Sequence, residues 1–149
     1  MGLAYNLQLT REKTYELLEL TLTNGAHPII VLDDPEGIAH ELFIDLLFAD
    51  RKDTEIFNYS DFIMNQAFSM ESMNELAKRR YIVVEDVKYL YGKSATSKIL
   101  ADFAEKMLAS DTGVIFVGRH AIMDMAEFIE QAEDSVQYVI ALDLEGNGV

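Results

Sequence analysis

Three short stretches of this chain are almost wholly apolar: residues 28–32 (PIIVL), 81–84 (YIVV) and 113–117 (GVIFV). A strand that is apolar at every position has to be covered on both faces. That pattern belongs to a parallel sheet packed between helices. The segments between these stretches carry apolar residues every three or four positions. Residues 10–23 place Leu17, Leu18 and Leu22 on one face and stop at Asn24-Gly25. Residues 35–49 repeat the pattern with Ile38, Leu42, Leu46 and Ala49, and residues 96–109 with Ile99, Leu100, Phe103 and Met107. Ser60 is placed to cap a helix from Asp61 to about Phe68, residues 72–78 form a second short helix, and residues 121–132 a further one. Residues 54–57 are a weaker strand candidate, and residues 136–142 form the last strand. Strands separated by helices require right-handed crossovers. The expectation is one α/β domain with three layers and a mainly parallel five-stranded sheet. Its core would span residues 28–142, with a loose tail at 145–149.

Composition narrows the function. The chain has 149 residues, with 12 Lys plus Arg against 26 Asp plus Glu, a net charge of −14. Such a surface repels phosphate backbones and anionic lipid, so direct nucleic-acid or membrane binding is not expected. Cysteine is absent, which removes disulfides, thiolate metal sites and cysteine nucleophiles together. The first residues lack the basic start and apolar stretch of a signal peptide, and no apolar run is long enough to span a bilayer. A cytoplasmic protein is the expectation.

In a parallel α/β sheet the ligand crevice lies beyond the carboxyl ends of the strands. The segments to inspect are therefore residues 33–37, 58–61, 85–88 and 118–120. The densest signal is YIVVEDVKYLYGKSATSKILADFAEKML, residues 81–108. A hydrophobic strand ending in two acids, here Glu85 and Asp86, suits a Mg²⁺-dependent nucleotide hydrolase: one carboxylate holds the ion or its water shell, the next polarises the attacking water. The same pair also fits a plain strand terminus. The longer string resembles the Walker B region of the DnaA group of AAA+ proteins. There the acid pair leads through an aromatic-Leu-x-Gly-Lys stretch into a helix, here Val87, Lys88, Tyr89, Leu90, Tyr91, Gly92 and Lys93. YSDFIMNQAF resembles the family's helix after its second strand, and GVIFVGRH its sensor-1 strand. The resemblance covers roughly residues 28–142 and implies a P-loop NTPase (AAA+) fold and a replication-linked setting.

This sequence departs from the family where phosphate would bind. A phosphate cradle needs glycines, so that backbone N–H groups can face the anion, and a lysine for the β/γ charge. Here the segment reads DDPEGIAHEL, with one glycine, Gly37, no lysine, and acids at Asp33, Asp34 and Glu36. Two unit charges 4 Å apart interact by roughly 4 kcal/mol at an effective dielectric of about 20, whereas a helix N-terminus contributes on the order of 1 kcal/mol. Repulsion outweighs the dipole. The first Walker B acid is Glu85 where the family prefers Asp. Gly118 stands at the sensor-1 position, followed by Arg119 and His120. The expectation is a domain that does not hydrolyse ATP and needs no cofactor, with Mg²⁺ at Glu85 and Asp86 as the open alternative. Residual ATPase activity would need a Lys or Arg supplied by a partner. The protein partner implied by the resemblance is a replication ATPase or a helicase-loading factor.

Two other readings fit parts of the pattern. Asp33, Asp34 and Asp86 match the acidic positions of a receiver-like phosphoacceptor, although Gly118 stands where a hydroxyl is needed. A charge of −14 also suits an acidic DNA mimic that occupies a basic groove. Asp34 and Pro35 alternatively form an ordinary helix start, with Asp34 as N-cap. His27 and His40 read as loop and helix-surface residues. Met64, Met70, Met73, Met107, Met123 and Met125 read mainly as core filler. Tyr89 and Tyr91 beside Lys88 and Lys93 form a small aromatic and basic patch that suits either a solvated turn or a partner contact.

Overall fold

The computed structural model describes residues 4–65 and 69–143. In chain order the elements are β1 (Tyr5–Leu9), α1 (Arg11–Asn24), β2 (Ile29–Asp33), a π-helical turn (His40–Ile44) running into α2 (Asp45–Leu47), and β3 (Thr54–Asn58). Then come α3 (Tyr59–Asn65), α4 (Met70–Leu76), β4 (Tyr81–Glu85), α5 (Ser94–Ala109), β5 (Gly113–Gly118), α6 (Ala121–Asp124), α7 (Ala126–Gln131) and β6 (Val136–Leu142). Among the described residues the sheet has six strands in the order β1-β6-β2-β5-β4-β3, and every pairing is parallel.

The expected five strands become six because β1 joins the edge beside β6, from Tyr5 opposite Tyr138 to Leu9 opposite Leu142. Its sequence YNLQL alternates rather than running apolar, because only the face with Leu7 and Leu9 packs against the core while Asn6 and Gln8 are exposed. Two helices also differ from expectation. Residues 35–37 form a turn, so the helix after β2 begins only at the π-helical His40. The helix expected over residues 121–132 breaks at Met125 into α6 and α7. Residues 66–68, where the helix after β3 was expected to end, and the tail at 145–149 lie outside the described residues.

Strand alternation divides the core in two. Ile29, Val31, Ile82, Val84, Val114 and Phe116 face α3, α4, α5, α6 and α7. Ile30, Leu32, Tyr81, Val83, Ile115 and Val117 face α1 and the π-helical segment. Both faces of β2, β4 and β5 are covered, which is why their sequences show no polar alternation. A register shift against β2 near Ile29 lets Val136 and Val139 share one face while Ile140 and Leu142 take the other. Phe62 and Phe103 meet edge to face at 5.0 Å, and Phe116 and Phe128 at 5.1 Å, locking α3, α5 and α7 onto the sheet. Met107 and Met125 are core residues as expected, whereas Met64, Met70 and Met123 are exposed. None of the helices among the described residues is long and apolar enough to cross a membrane.

Candidate functional site: the cleft at the strand ends

The carboxyl ends of β2, β3, β4 and β5 open into a cleft of about 340 Å³. Asp34, Gly37 and His40 line it from the β2 side, Asn58, Glu85 and Asp86 from β3 and β4, and Gly118 and Arg119 from β5. A larger groove of about 610 Å³ runs along α5 and the end of α7, and none of the candidate site residues lines it.

Asp34 is the structural centre of the cleft floor. It is only 4% exposed. Its Oδ1 accepts the Ile38 N–H at 3.1 Å, and its Oδ2 accepts the Ala39 N–H at 2.9 Å. Its own N–H donates to the Gly118 carbonyl at 2.9 Å, and its carbonyl accepts the Gly37 N–H at 3.1 Å. Asp34 is not the N-cap expected with Pro35 as the first helical residue: the π-helical segment starts later, at His40, with Ala39 before it, and the Asp34 carboxylate instead holds the loop N–H groups that lead into it. Gly37 closes that turn at φ +68°, where a side chain would also meet the Arg119 guanidinium. Arg119 Nη1 in turn donates to the Pro35 carbonyl at 3.4 Å. The free N–H groups that follow β2 are thus taken by a carboxylate of the same loop.

Glu85 ends β4 with its side chain 19% exposed, and its Oε2 lies 2.7 Å from His40 Nδ1. This hydrogen bond is the main reason that His40 is more basic than an ordinary histidine. Asp86 takes a left-handed conformation, φ +61°, and pairs with Lys88 at 3.2 Å. The chain therefore folds back: the Val87 N–H donates to the Val117 carbonyl at 2.9 Å, and the Val87 carbonyl lies against the Cα of Gly118. Only glycine fits at 118, because any Cβ would collide with that carbonyl oxygen. Asp33 is half-buried, and its Oδ1 accepts the Ile122 N–H at 3.3 Å. Burial raises its pKa above the usual carboxylate value. His120 precedes α6 and borders a smaller cavity with Asp86 and Arg119. His27 lies elsewhere, stacked on Tyr81 at 5.7 Å.

The acids expected to act together are thus held apart by separate partners. Among the described residues no three His, Asp or Glu side chains sit where together they could hold a metal ion. The sequence reading missed the His40–Glu85 contact, because residues 45 positions apart give no local signal. It also missed the Val87 fold-back, which only the requirement for glycine at 118 hinted at. Of the aromatic and basic residues named from the sequence, Lys88, Tyr89 and Lys93 line a small groove against α3, and Tyr91 is exposed.

No family model and no curated protein matches the sequence. Solved structures do match. Domain III of the replication initiation protein DnaA from Thermotoga maritima superposes with a TM-score of 0.60 at 14% identity, over 89% of this chain and 62% of that one. AMPPCP-bound DnaA from Aquifex aeolicus gives 0.68 at 15% identity, over 93% and 48%. A structure of the replication initiator DnaA bound to AMPPCP and single-stranded DNA gives 0.69 at 14% identity, again over 93% and 48%. The fold is that of the DnaA-type AAA+ α/β domain. This chain spans about half to three-fifths of the length of these structures.

Proposed function

We propose that this chain is a DnaA-like AAA+ domain that does not hydrolyse nucleotide and acts through contact with another protein in a DNA-replication-linked setting. The observation that carries the reading is the Asp34 carboxylate seated on the Ile38 and Ala39 N–H groups. Backbone N–H groups between a strand and the following helix are what a phosphate loop offers its anion. Here the loop supplies its own anion. A triphosphate would have to displace a buried carboxylate whose charge-assisted hydrogen bonds contribute about 1.5–3 kcal/mol each. The loop has no lysine to offer it, and the acids Asp34, Glu85 and Asp86 line the cleft.

Two further features support the reading. Glu85 is engaged by His40, and the Val87 carbonyl occupies the space where a sensor-1 side chain would project from position 118. The first contact occupies the acid that would serve a metal ion, and the second leaves no room for a polar side chain at position 118. The replication-linked setting, and a replication ATPase or helicase-loading factor as partner, rest on the likeness to DnaA structures alone. Isothermal titration of the full chain with ATP and Mg²⁺, with phosphate release followed in parallel, tests the proposal. No binding in the micromolar range and no turnover is expected. Micromolar binding with phosphate release would overturn it.

A further inference from the structure

On a chain of net charge −14, the segment after β4 presents the opposite character. Lys88 and Lys93 flank Tyr89 and Tyr91, and Met64 of α3 stands beside them. Tyr89 is 75% exposed and Met64 81%. Lys93 makes no ion pair among the described residues, and Lys88 reaches only the exposed Asp86 at 3.2 Å, a solvent-screened contact that exchanges readily. The lysine ammonium also sits 5.6 Å from the centre of the Tyr89 ring.

The loop is built to hold this display. Val87 and Leu90 are fully buried and anchor it from within, and the Lys93 N–H donates to the Leu90 carbonyl at 3.0 Å. Tyr89 is left-handed at φ +60° and Gly92 at φ +77°. A residue with a Cβ adopts that conformation at a cost, and here the result is a tyrosine turned outward with no hydrogen bond for its hydroxyl among the described residues. Between Tyr89 and α3 lies a groove of about 270 Å³ with Tyr59, Ile63 and Met64 along its wall. It has room for one bulky side chain.

We propose that this loop and α3 bind an acidic segment of a protein partner, which places one bulky apolar side chain in the groove and its carboxylates against Lys88 and Lys93. Charge complementarity selects this occupant. Lys88 and Lys93 call locally for carboxylates, and the apolar wall of Tyr59, Ile63, Met64 and Tyr89 beside them calls for an apolar side chain, a combination that a peptide segment carries on one short stretch. The inference rests on the interaction-module reading and names the chemistry of the partner.

Panning a library of random short peptides on the full folded chain tests it. Enriched peptides should be rich in Asp and Glu around a Leu, Phe or Trp. Their affinity should fall about tenfold or more with Tyr89→Ala or Lys93→Glu, as for anchor residues at an interface. It should also weaken as salt rises. Lys13→Glu makes the same charge change on an exposed site in α1 and should leave binding within about twofold. Enrichment of basic peptides, no enrichment, equal loss with Lys13→Glu, or tighter binding of oligo(dT) than of the acidic peptides would each overturn the proposal. Dispersed amide spectra of the variants show that they remain folded. A chain that turns over ATP fails the interaction-module reading. A chain without turnover that also ignores acidic peptides fails this inference alone.

Discussion

Asp34→Ala probes the self-occupied loop directly. The substitution removes the acceptor of two N–H groups, at 3.1 and 2.9 Å, in a site only 4% exposed. Hydrogen bonds to a charged group contribute about 1.5–3 kcal/mol each, and loss of a helix cap costs about 0.5–2 kcal/mol. The two bonds share one carboxylate, and the turn at Gly37 can relax toward water, so the contributions do not add fully. A loss of about 3 kcal/mol is expected. For a chain of this length each kcal/mol corresponds to about 2–4 °C, so Tm falls by roughly 6–12 °C. Asp34→Asn keeps one acceptor oxygen but turns an amide N–H toward a backbone N–H, and an intermediate loss follows. Urea unfolding followed by circular dichroism, at unchanged m-value, measures the difference. A variant within about 0.5 kcal/mol of the parent would refute the argument, because the carboxylate would then not be holding the loop.

Other perturbations separate the remaining contacts. His40 is more basic when folded than its ordinary 6.5, chiefly through Glu85, so the pair stabilises the fold below that value and the benefit fades as pH rises through the higher folded value. His40→Ala should therefore be destabilising near about pH 6 and close to neutral near about pH 9, as read by urea midpoints at each pH. Gly118→Ala drives a methyl into the Val87 carbonyl and is expected to cost about 1–3 kcal/mol in thermal unfolding. Gly37→Ala strains a left-handed turn by about 1–2 kcal/mol, while the flexible Arg119 side chain moves aside. Thr112 is fully buried and its hydroxyl lies 2.6 Å from the Arg79 carbonyl, so Thr112→Val should lose about 1 kcal/mol in the same assay.

The central strands were legible because burial on both faces writes a continuous apolar run, and β2, β4 and β5 follow PIIVL, YIVV and GVIFV closely. β1 was not, since only its Leu7 and Leu9 face is packed and YNLQL is too short to stand out from a loop. Topology alone pointed to the strand ends, and Asp34, Gly37, Glu85, Asp86, Gly118 and Arg119 line the cleft found there. What stayed hidden was the pairing among them. Side chains brought together by crossovers leave no spacing in the sequence: His40 is the exposed helix-surface residue that it read as, yet it reaches Glu85, which read as a strand terminus or a metal-binding acid. Asp34 shows the same limit more finely. Asp-Pro reads locally as a helix start, but the helix begins later, and the reach of Asp34 to Ile38 and Ala39 depends on the Gly37 turn that precedes the π-helical segment.

The most direct measurement follows the backbone amides of Gly37, Ile38 and Ala39 by NMR while ATP and Mg²⁺ are added to the full chain. With Asp34 holding those N–H groups, their resonances should stay in place up to millimolar nucleotide. Saturable shifts centred on these three amides at micromolar nucleotide would contradict the account, because the loop would then be gripping phosphate after all.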